Sequence, residues 1–316
     1  MKVFATRKLP DAVEAALTED FDATLNPDDR KISREEIIEA LQNYDGLLPS
    51  VSTIIDREML EQATRCKIIA NFGVGYNNID VVAAHELGIS VSNTPDVLTD
   101  ATADIALLLM LDVTRGGQQA AAMLRRGEWS GFALTDMLGT GLQGKTLGII
   151  GMGAIGQAVA RRAAYGFGMD VIYFNRSPVR NLTLPQAKPV GLDTLFETSD
   201  VISLHIPGGE STRGFVDAAR FKQMKKTAYL VNTARGTVVD ETAMIEALQS
   251  GEIAGAGLDV FEKEPQVPEA LMRLANVSLL PHLGSATVDT RTAMGMLAVD
   301  NLRAFKEDRP LPSRVV

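Results

Sequence analysis

Short apolar runs alternate with amphipathic segments along most of the chain. In the first third, apolar runs predict four strands, at residues 3–5, 46–49, 67–70 and 89–93. The stretches between them predict helices, among them 11–18 and a segment that starts with a capping box at Ser33 and Glu36. Strands that alternate with helices in this way indicate a parallel sheet with crossover helices.

The same alternation continues toward the C-terminus. The segment 99–115 is strongly apolar and predicts a buried helix, and 287–305 predicts a long last helix. Between them, further strands are predicted at residues 146–150, 171–174, 201–206, 228–233, 256–260 and 277–280. The chain has no short repeat or low-complexity tract. The pattern therefore predicts an α/β fold of two doubly wound parallel-sheet domains.

Three glycines follow one of these apolar runs in the spacing Gly151-x-Gly153-x-x-Gly156. In a nucleotide fold the first glycine permits a tight turn, the second lets backbone approach a pyrophosphate, and the third lets the helix lie close to its strand. The helix that begins at Ala154 and Ile155 offers unpaired N–H groups and a partial positive charge, which suit a phosphate bridge. Because strand, turn, helix and second strand all occur in order, the motif predicts a dinucleotide site rather than a merely structural turn.

The residues after the second strand of this unit indicate which dinucleotide binds. Folds that prefer NAD usually carry an Asp or Glu about twenty residues after the glycines, where it binds the ribose hydroxyls. This chain has Asn175 there, followed by Arg176 and Ser177. A carboxylate would repel a 2′-phosphate, whereas a neutral amide beside a guanidinium and a hydroxyl can accept one. We therefore predict that NADPH is preferred over NADH; the alternative is that Arg176 is a solvated loop charge.

Composition and charge limit the classes of partner. The 316 residues are enough for two domains, and 46% hydrophobic and 22% charged residues are typical of a soluble α/β protein. The net charge of −9, without a basic run, argues against a nucleic-acid partner. The apolar run at 105–111 is too short to cross a membrane, and the first residues lack the apolar core of a signal peptide. With Cys66 as the single cysteine, no internal disulfide can form, and a cytoplasmic location is expected.

A second glycine-containing loop, NFGVG, follows the predicted strand at 67–70. It should lie at the carboxyl edge of the first sheet, where open α/β sheets bind ligands. Glycines leave main-chain amides free to bind an anion, so the amides of Val74 and Gly75 are predicted to bind a substrate carboxylate. The alternative is a simple strand end. Ser50, after another strand, is a weaker candidate of the same kind.

Three polar residues, Arg235, Glu264 and His282, follow three predicted strands of the second unit. The carboxyl ends of parallel strands meet at one edge, so these side chains can converge where a nicotinamide would lie. Arg235 is suited to hold the carboxylate and carbonyl of a 2-oxo acid, and His282 to protonate the developing alkoxide. Glu264 would stabilise the imidazolium. Taken singly, each residue also fits an ordinary solvated or surface position.

The chain resembles the D-isomer-specific 2-hydroxyacid dehydrogenase family in four ordered segments: GMGAIGQAVARR, VNTARGTVVDETAMIEAL, AGAGLDVFEKEP and LLPHLGSAT. The resemblance covers nearly the whole chain, including NFGVGYNNIDVVAAHELGISVSNTP. Within the family it is greatest to glyoxylate and hydroxypyruvate reductases, through GEW near Trp129 and NRS at Asn175. It implies that Arg235, Glu264 and His282 are catalytic. It also implies a set of residues that border the cofactor: Thr102, His205, Pro207, Thr233, Ala234 and Asp259, the last near the nicotinamide amide.

The resemblance also implies how the domains are arranged. A flavodoxin-like substrate-binding domain, residues 1–99 plus 286–316, would contain an inserted dinucleotide-binding Rossmann domain, residues 100–285. The two chain crossings would act as a hinge whose closure expels water. Homodimerisation through the nucleotide domain is a further expectation. Trp129, the only tryptophan, is interpreted as a packing anchor, with a pocket wall or a dimer contact as alternatives.

Together these observations predict a reductase of glyoxylate or hydroxypyruvate that gives glycolate or D-glycerate, prefers NADPH, can use NADH and needs no metal. One alternative is a dehydrogenase for another D-2-hydroxy acid, such as 3-phosphoglycerate. A phosphorylated substrate would need Lys or Arg at the first unit's ligand edge, and LLPSVST and NFGVGYNN contain none. A second alternative is a non-catalytic dinucleotide-sensing protein, which the intact set Arg235, Glu264 and His282 disfavours.

Overall fold

The structure, a computed structural model, describes residues 1–316 as twelve strands, twelve α-helices and two short 3₁₀ helices. The strands are, in chain order, β1 (Lys2–Ala5), β2 (Asp22–Thr24), β3 (Gly46–Leu48), β4 (Ile68–Ala70), β5 (Ser90–Ser92), β6 (Thr146–Ile150), β7 (Asp170–Phe174), β8 (Lys188–Pro189), β9 (Val201–Leu204), β10 (Tyr229–Asn232), β11 (Gly255–Leu258) and β12 (Val277–Leu279). The helices are α1 (Asp11–Asp20), α2 (Arg34–Asn43), α3 (Arg57–Leu60), α4 (Val81–Glu86), α5 (Thr99–Arg115), α6 (Gly117–Arg125), α7 (Ala154–Phe167), α8 (Leu192–Thr198), α9 (Ala218–Gln223), α10 (Glu241–Ser250), α11 (Glu269–Met272) and α12 (Val288–Lys306).

The chain forms two compact units. Unit 1 consists of Met1–Leu98 and Ser285–Val316, and unit 2 of Thr99–Gly284. Each crossing of the chain lies one residue before the boundary expected from the sequence.

The sheet of unit 1 has five parallel strands in the order β2-β1-β3-β4-β5, which is the flavodoxin-like order. Successive residues of a strand point to opposite faces. Accordingly, Val3 and Ala5 of β1 belong to one apolar cluster, which includes α1 and α12, while Phe4 packs on a second cluster with α2 and α4. Both faces of the sheet are therefore covered by helices.

The sheet of unit 2 has seven parallel strands in the order β12-β11-β10-β9-β6-β7-β8. Counted from β6, this is the Rossmann order extended by one strand, and the order reverses between β6 and β9. Ile149 and Ile150 of β6 again belong to separate apolar clusters on the two faces. The prediction of two doubly wound α/β domains is confirmed.

Apart from the two 3₁₀ helices, two strands and two α-helices were not predicted: β2, β8, α6 and α8. The first two are very short edge strands, and α6 buries no residue, so none of these three carries a strong apolar pattern. The helix α5 has the predicted bounds, but it is not buried on all sides. Leu107 and Leu109 are buried, whereas Leu108 is 50% exposed, because one stripe of the helix faces away from its own unit's core.

Candidate active site

The three residues predicted to be catalytic lie beyond three adjacent strands of unit 2. Arg235 follows β10, Glu264 follows β11 and His282 follows β12. These strands are neighbours in the sheet and run parallel, so their carboxyl ends share one edge. The structure therefore brings all three residues to this edge.

Glu264 and His282 form a hydrogen-bonded pair, with 2.7 Å between Glu264 Oε2 and His282 Nδ1. The other carboxylate oxygen accepts a hydrogen bond from Phe261 N at 3.1 Å. Burial raises the pKa of Glu264, but the hydrogen bond and charge of His282, with smaller contributions from Phe261 N–H and Arg235, hold it below its ordinary value. The carboxylate is therefore ionised at neutral pH. It orients the imidazole so that Nε2, the other ring nitrogen, points away from the pair.

Arg235 presents a guanidinium that has no carboxylate at ion-pair distance. Its Nη1 donates to Ala234 O at 2.6 Å. Burial lowers the pKa of Arg235 and the nearby Glu264 carboxylate raises it, and a guanidinium stays protonated in either case. Asn232 holds this turn, since its Oδ1 accepts Ala234 N at 3.0 Å and its Nδ2 donates to Arg235 O at 2.9 Å. The unused donors of Arg235 are suited to an incoming carboxylate.

A buried carboxylate, Asp259, holds the segment that carries His282. Asp259 O accepts His282 N at 2.9 Å, and its two carboxylate oxygens accept Leu283 N at 2.6 Å and Gly284 N at 2.8 Å. These bonds keep His282 at a φ of 56°, in the left-handed region. Thr102 Oγ1 donates to Gly284 O at 3.1 Å. The expected cofactor contacts of Asp259 and Thr102 stay predictions, and the structure adds that both side chains support the histidine segment.

The glycine turn between β6 and α7 leaves room for a phosphate bridge. Gly151 has a φ of 95°, and a Cβ on Gly156 would lie 2.1 Å from Gly151 O, so larger residues would push the helix away. A Cβ on Gly153 would meet nothing within 4 Å. The first-turn amides of α7, including those of Ala154 and Ile155, have no acceptor in the helix. These residues fit a dinucleotide pyrophosphate.

The side chain of Asn175 has two partners within the protein. Its Oδ1 accepts Met152 N at 3.0 Å, and its Nδ2 donates to Ser177 O at 2.7 Å. Arg176 and Ser177 are exposed, and Arg176 forms no ion pair. The predicted contacts with a 2′-phosphate therefore fall to Arg176 and Ser177, because the Asn175 amide is already used.

The other predicted cofactor residues lie after β9 and β10. His205 Nε2 is 2.8 Å from Ser203 Oγ, and burial lowers the pKa of His205 to about 3, so this imidazole is neutral. The backbone carbonyl of His205 lies against the glycine turn, 2.6 Å from where a Cβ on Gly151 would be. Thr233 Oγ1 is buried without a hydrogen-bond partner, and a bound nucleotide would supply one. Pro207 and Ala234 lie in the same two strand-end segments.

In unit 1, the loop after β4 directs its carbonyl groups toward asparagine side chains. Asn71 Nδ2 donates to Gly75 O at 3.0 Å and Gly73 O at 3.4 Å, and Asn93 Nδ2 donates to Val74 O at 2.9 Å. The amides of Val74 and Gly75 find no acceptor within unit 1. This arrangement agrees with the predicted role of these amides in anion binding.

A third asparagine, Asn78, joins this loop to the loop after β3. Its Nδ2 lies 3.2 Å from Asn71 Oδ1, 3.0 Å from Thr53 O and 3.3 Å from Ser50 O. The hydroxyl of Ser50 lies 2.8 Å from that of Ser52. Sequence reasoning missed the three asparagines; Asn71 and Asn93 directly follow β4 and β5, but their backbone partners leave no signal in the sequence.

A cation from outside the segments LLPSVST and NFGVGYNN also reaches this edge of unit 1. Arg7 Nη1 lies 3.5 Å from Ser52 Oγ, because β1, which precedes Arg7, pairs with β3. The guanidinium is already occupied, however, with two 2.6 Å bonds to the Asp29 carboxylate. The hydrogen bond from Arg7 lowers the pKa of Asp29 to about 2, so the pair stays charged and mutually compensated at neutral pH.

Trp129 is 58% exposed, so its interpretation as a packing anchor was wrong. It lies between α6 and β6 in a segment without helix or strand. Phe132, Leu134 and Leu138 of the same segment are 86%, 83% and 75% exposed. The segment buries none of these side chains because it has no element of its own to pack them against.

Other chemistry is limited. No group of three or more His, Cys, Asp or Glu side chains could hold a metal ion. None of the helices combines the length and the apolar character that crossing a membrane requires. Cys66 is buried, and burial raises the pKa of its thiol to about 12, so it is not a nucleophile at neutral pH.

Comparison with known proteins adds independent findings. The family model for the D-isomer specific 2-hydroxyacid dehydrogenase NAD binding domain matches residues 107–284. A glyoxylate reductase of Thermococcus litoralis is 44% identical over 324 residues, which cover 99% of this chain and 96% of that protein. The solved structure of a glyoxylate reductase from Paecilomyes thermophila has a TM-score of 0.90 at 36% identity, with 100% of this chain and 98% of that chain covered. An NADPH-dependent glyoxylate/hydroxypyruvate reductase from Sinorhizobium meliloti, in complex with NADP and malonate, has a TM-score of 0.89 at 37% identity, with 100% and 96% covered.

Proposed function

The chain belongs to the D-isomer specific 2-hydroxyacid dehydrogenase family, and we propose that it is a reductase of small 2-oxo acids that prefers NADPH. Its substrates are glyoxylate or hydroxypyruvate, and its products glycolate or D-glycerate. Relatives named glyoxylate reductase and glyoxylate/hydroxypyruvate reductase support this assignment.

The observation that carries the proposal is the pair of Glu264 and His282, 2.7 Å apart, at the same sheet edge as an Arg235 without a carboxylate partner. Arg235 donates to the carboxylate and carbonyl oxygen of the 2-oxo acid. His282 gives a proton from Nε2 to the carbonyl oxygen as negative charge develops there, and Glu264 stabilises the imidazolium before the transfer. When bound, the reduced nicotinamide supplies the hydride for the carbonyl carbon. Val74 and Gly75 donate their free amides to the substrate carboxylate.

Three features support a bound dinucleotide. Space lies beside Gly153, the first turn of α7 has free amides, and Thr233 Oγ1 is buried without a partner. The preference for NADPH rests on the absence of a carboxylate at Asn175 and on the unpaired guanidinium of Arg176. NADH serves as a second, less preferred cofactor.

The same proposal includes a homodimer. Single exposed apolar residues are common on protein surfaces, but a run of them within one segment marks an interaction surface. The run that includes Trp129, Phe132, Leu134 and Leu138 is such a surface, and a second copy of this chain is the partner that fits the family. A cytoplasmic location stays a prediction from the sequence.

Two other functions are disfavoured. A phosphorylated D-2-hydroxy acid would need a free cation in unit 1, and Arg7 is instead paired with Asp29. A non-catalytic nucleotide sensor would have no use for the Glu264–His282 pair.

Turnover of a substrate panel by the purified protein tests the proposal. We expect oxidation of NADPH, followed by its absorbance, with glyoxylate and hydroxypyruvate, less with pyruvate and least with 3-phosphohydroxypyruvate. Preference for the phosphorylated substrate would favour the alternative dehydrogenase. Cofactor binding without turnover of any 2-oxo acid would favour the sensor, and equal or better use of NADH would contradict the cofactor preference.

A further inference from the structure

The loop after β7, residues 175–183, is fastened to the glycine unit at both of its ends; we call it the ribose loop. At its start, Asn175 bonds Met152 N of the glycine turn and Ser177 O, at 3.0 and 2.7 Å. At its end, Thr183 N and Oγ1 donate to Gln157 Oε1 of α7 at 2.8 and 3.0 Å. The loop is therefore held against the turn and helix that accept the pyrophosphate.

Between these two ends, the polar side chains point to solvent and make no ion pair. Arg176, Ser177 and Arg180 are exposed, and neither arginine has a carboxylate partner. Arg180 was not among the predicted cofactor residues. Two free cations on a loop that is fixed at both ends form a surface for an anionic group.

We propose that Asn175 is a positioning residue for cofactor selection: it fastens the ribose loop to the glycine turn and so presents Arg176 and Ser177 to the 2′-phosphate. This inference rests on the proposed use of NADPH. Asn175 acts through backbone groups, since its Oδ1 accepts a hydrogen bond from Met152 N and its Nδ2 donates one to Ser177 O. An amide is neutral and also offers one acceptor and one donor, so it meets both requirements.

This role predicts that Asn175→Asp, which introduces the acidic residue typical of NAD-preferring folds, does not create a preference for NADH. In Asn175→Asp, one carboxylate oxygen can still accept Met152 N–H. The other replaces Nδ2 and would lie about 2.7 Å from the Ser177 carbonyl oxygen, where two acceptors repel each other. The start of the ribose loop must move, so the new carboxylate is not held where it could bind the hydroxyls of an NAD ribose. The variant should lose affinity for NADPH without gaining affinity for NADH.

Calorimetric binding of 2′,5′-ADP and of ADP gives a readout that does not depend on turnover. Wild-type protein should bind 2′,5′-ADP more tightly. Arg176→Ala should reduce that preference and change ADP affinity little, whereas Asn175→Ala should weaken both ligands, each by roughly 3- to 30-fold. In kinetics, the KM for NADPH of Asn175→Ala should change by a larger factor than kcat.

Asn175→Asp should weaken 2′,5′-ADP by at least as much as Asn175→Ala and leave kcat/KM with NADH no higher than that of the wild type. A gain of tenfold or more with NADH would overturn the inference and leave the proposed function intact. Binding of 2′,5′-ADP by Asn175→Ala as tight as that of the wild type would overturn it as well. A wild-type protein without preference for 2′,5′-ADP would instead contradict the proposed NADPH preference, and the positioning role with it.

Discussion

The two units carry different chemistry at the carboxyl ends of their parallel strands. In unit 2 the residues are ionisable: Arg235, Glu264 and His282 follow three neighbouring strands. In unit 1 the loop after β4 is held by neutral asparagines, which bond its carbonyl groups and leave amides free. The first edge can transfer a proton and the second can only hold an anion.

The difference has a physical reason. An asparagine amide satisfies backbone carbonyls without adding charge. Because the guanidinium of Arg7 is paired with Asp29, the free amides of Val74 and Gly75 are the groups left to bind a carboxylate. A free lysine there would bind an anion as a point charge, with a less defined geometry than two fixed amides. In the proposed function, unit 2 performs the chemistry and needs titratable groups, whereas unit 1 only positions substrate and does not.

Loss of the imidazole should have the largest effect. We expect His282→Ala to lower kcat by roughly 10²- to 10⁴-fold, because no other group of the strand-end set can protonate the alkoxide. Binding of NADPH, measured by its fluorescence, should be largely retained. His85→Ala removes an exposed histidine of α4 and is the matched control, with kcat expected to stay within about twofold. Near-normal turnover of His282→Ala would contradict the assignment of His282 as the acid. The edge of unit 2 would then differ from that of unit 1 in charge but not in proton transfer by this histidine.

A smaller effect is expected at the edge of unit 1. Asn93→Ala removes the donor to Val74 O, leaves that carbonyl without its partner and loosens the amides beside it. The KM for the 2-oxo acid should rise by roughly tenfold, and by a larger factor than the KM for NADPH.

Asn276→Ala is the matched control for this variant. Asn276 Nδ2 also bonds two carbonyls, of Leu248 and Ala254, at 3.3 and 3.2 Å, but it precedes β12 and so lies at the end of that strand opposite to His282. It should lower the melting temperature and leave the ratio of the two KM values as in the wild type. If Asn93→Ala raised both KM values equally, the loop of unit 1 would have no special part in holding substrate.

The sequence predicted more of the strand-end site in unit 2 than of the asparagine-held loop in unit 1. Arg235, Glu264 and His282 each follow a recognisable strand, so their shared edge could be predicted from strand order alone. The bonds of Asn71, Asn78 and Asn93 join loops after β3, β4 and β5, and their partners are mostly backbone carbonyls. Backbone carbonyls have no signature in sequence, so neither the bonds nor the direction of the free amides could be predicted.

Arg7 and Asn175 show the same limit. Arg7 reaches Ser52 because β1 pairs with β3, a pairing that depends on the order of strands in the finished sheet. Asn175 was recognised from its position after the second strand, but its bond to Met152 depends on how closely β7 lies beside β6. For Asn175 the type of residue was informative and the partner was not, whereas Arg7 was not singled out in the sequence at all.

His205 belongs to unit 2, but its imidazole carries no charge at neutral pH. In this respect it resembles the asparagines of unit 1. Burial lowers its pKa from 6.5 to about 3. The unfolded chain therefore takes up this proton below pH 6.5, and the folded chain takes it up only near pH 3. The free energy of unfolding therefore decreases as pH falls from 6.5 to 3, by at most about 1.4 kcal/mol per pH unit. His205→Gln cannot take up the proton, and Gln can still bond Ser203 Oγ. As pH falls from 6.5 to 4, the melting temperature of the wild type should therefore decrease more than that of His205→Gln. If the difference between the two melting temperatures stayed constant with pH, His205 would not be held neutral by burial.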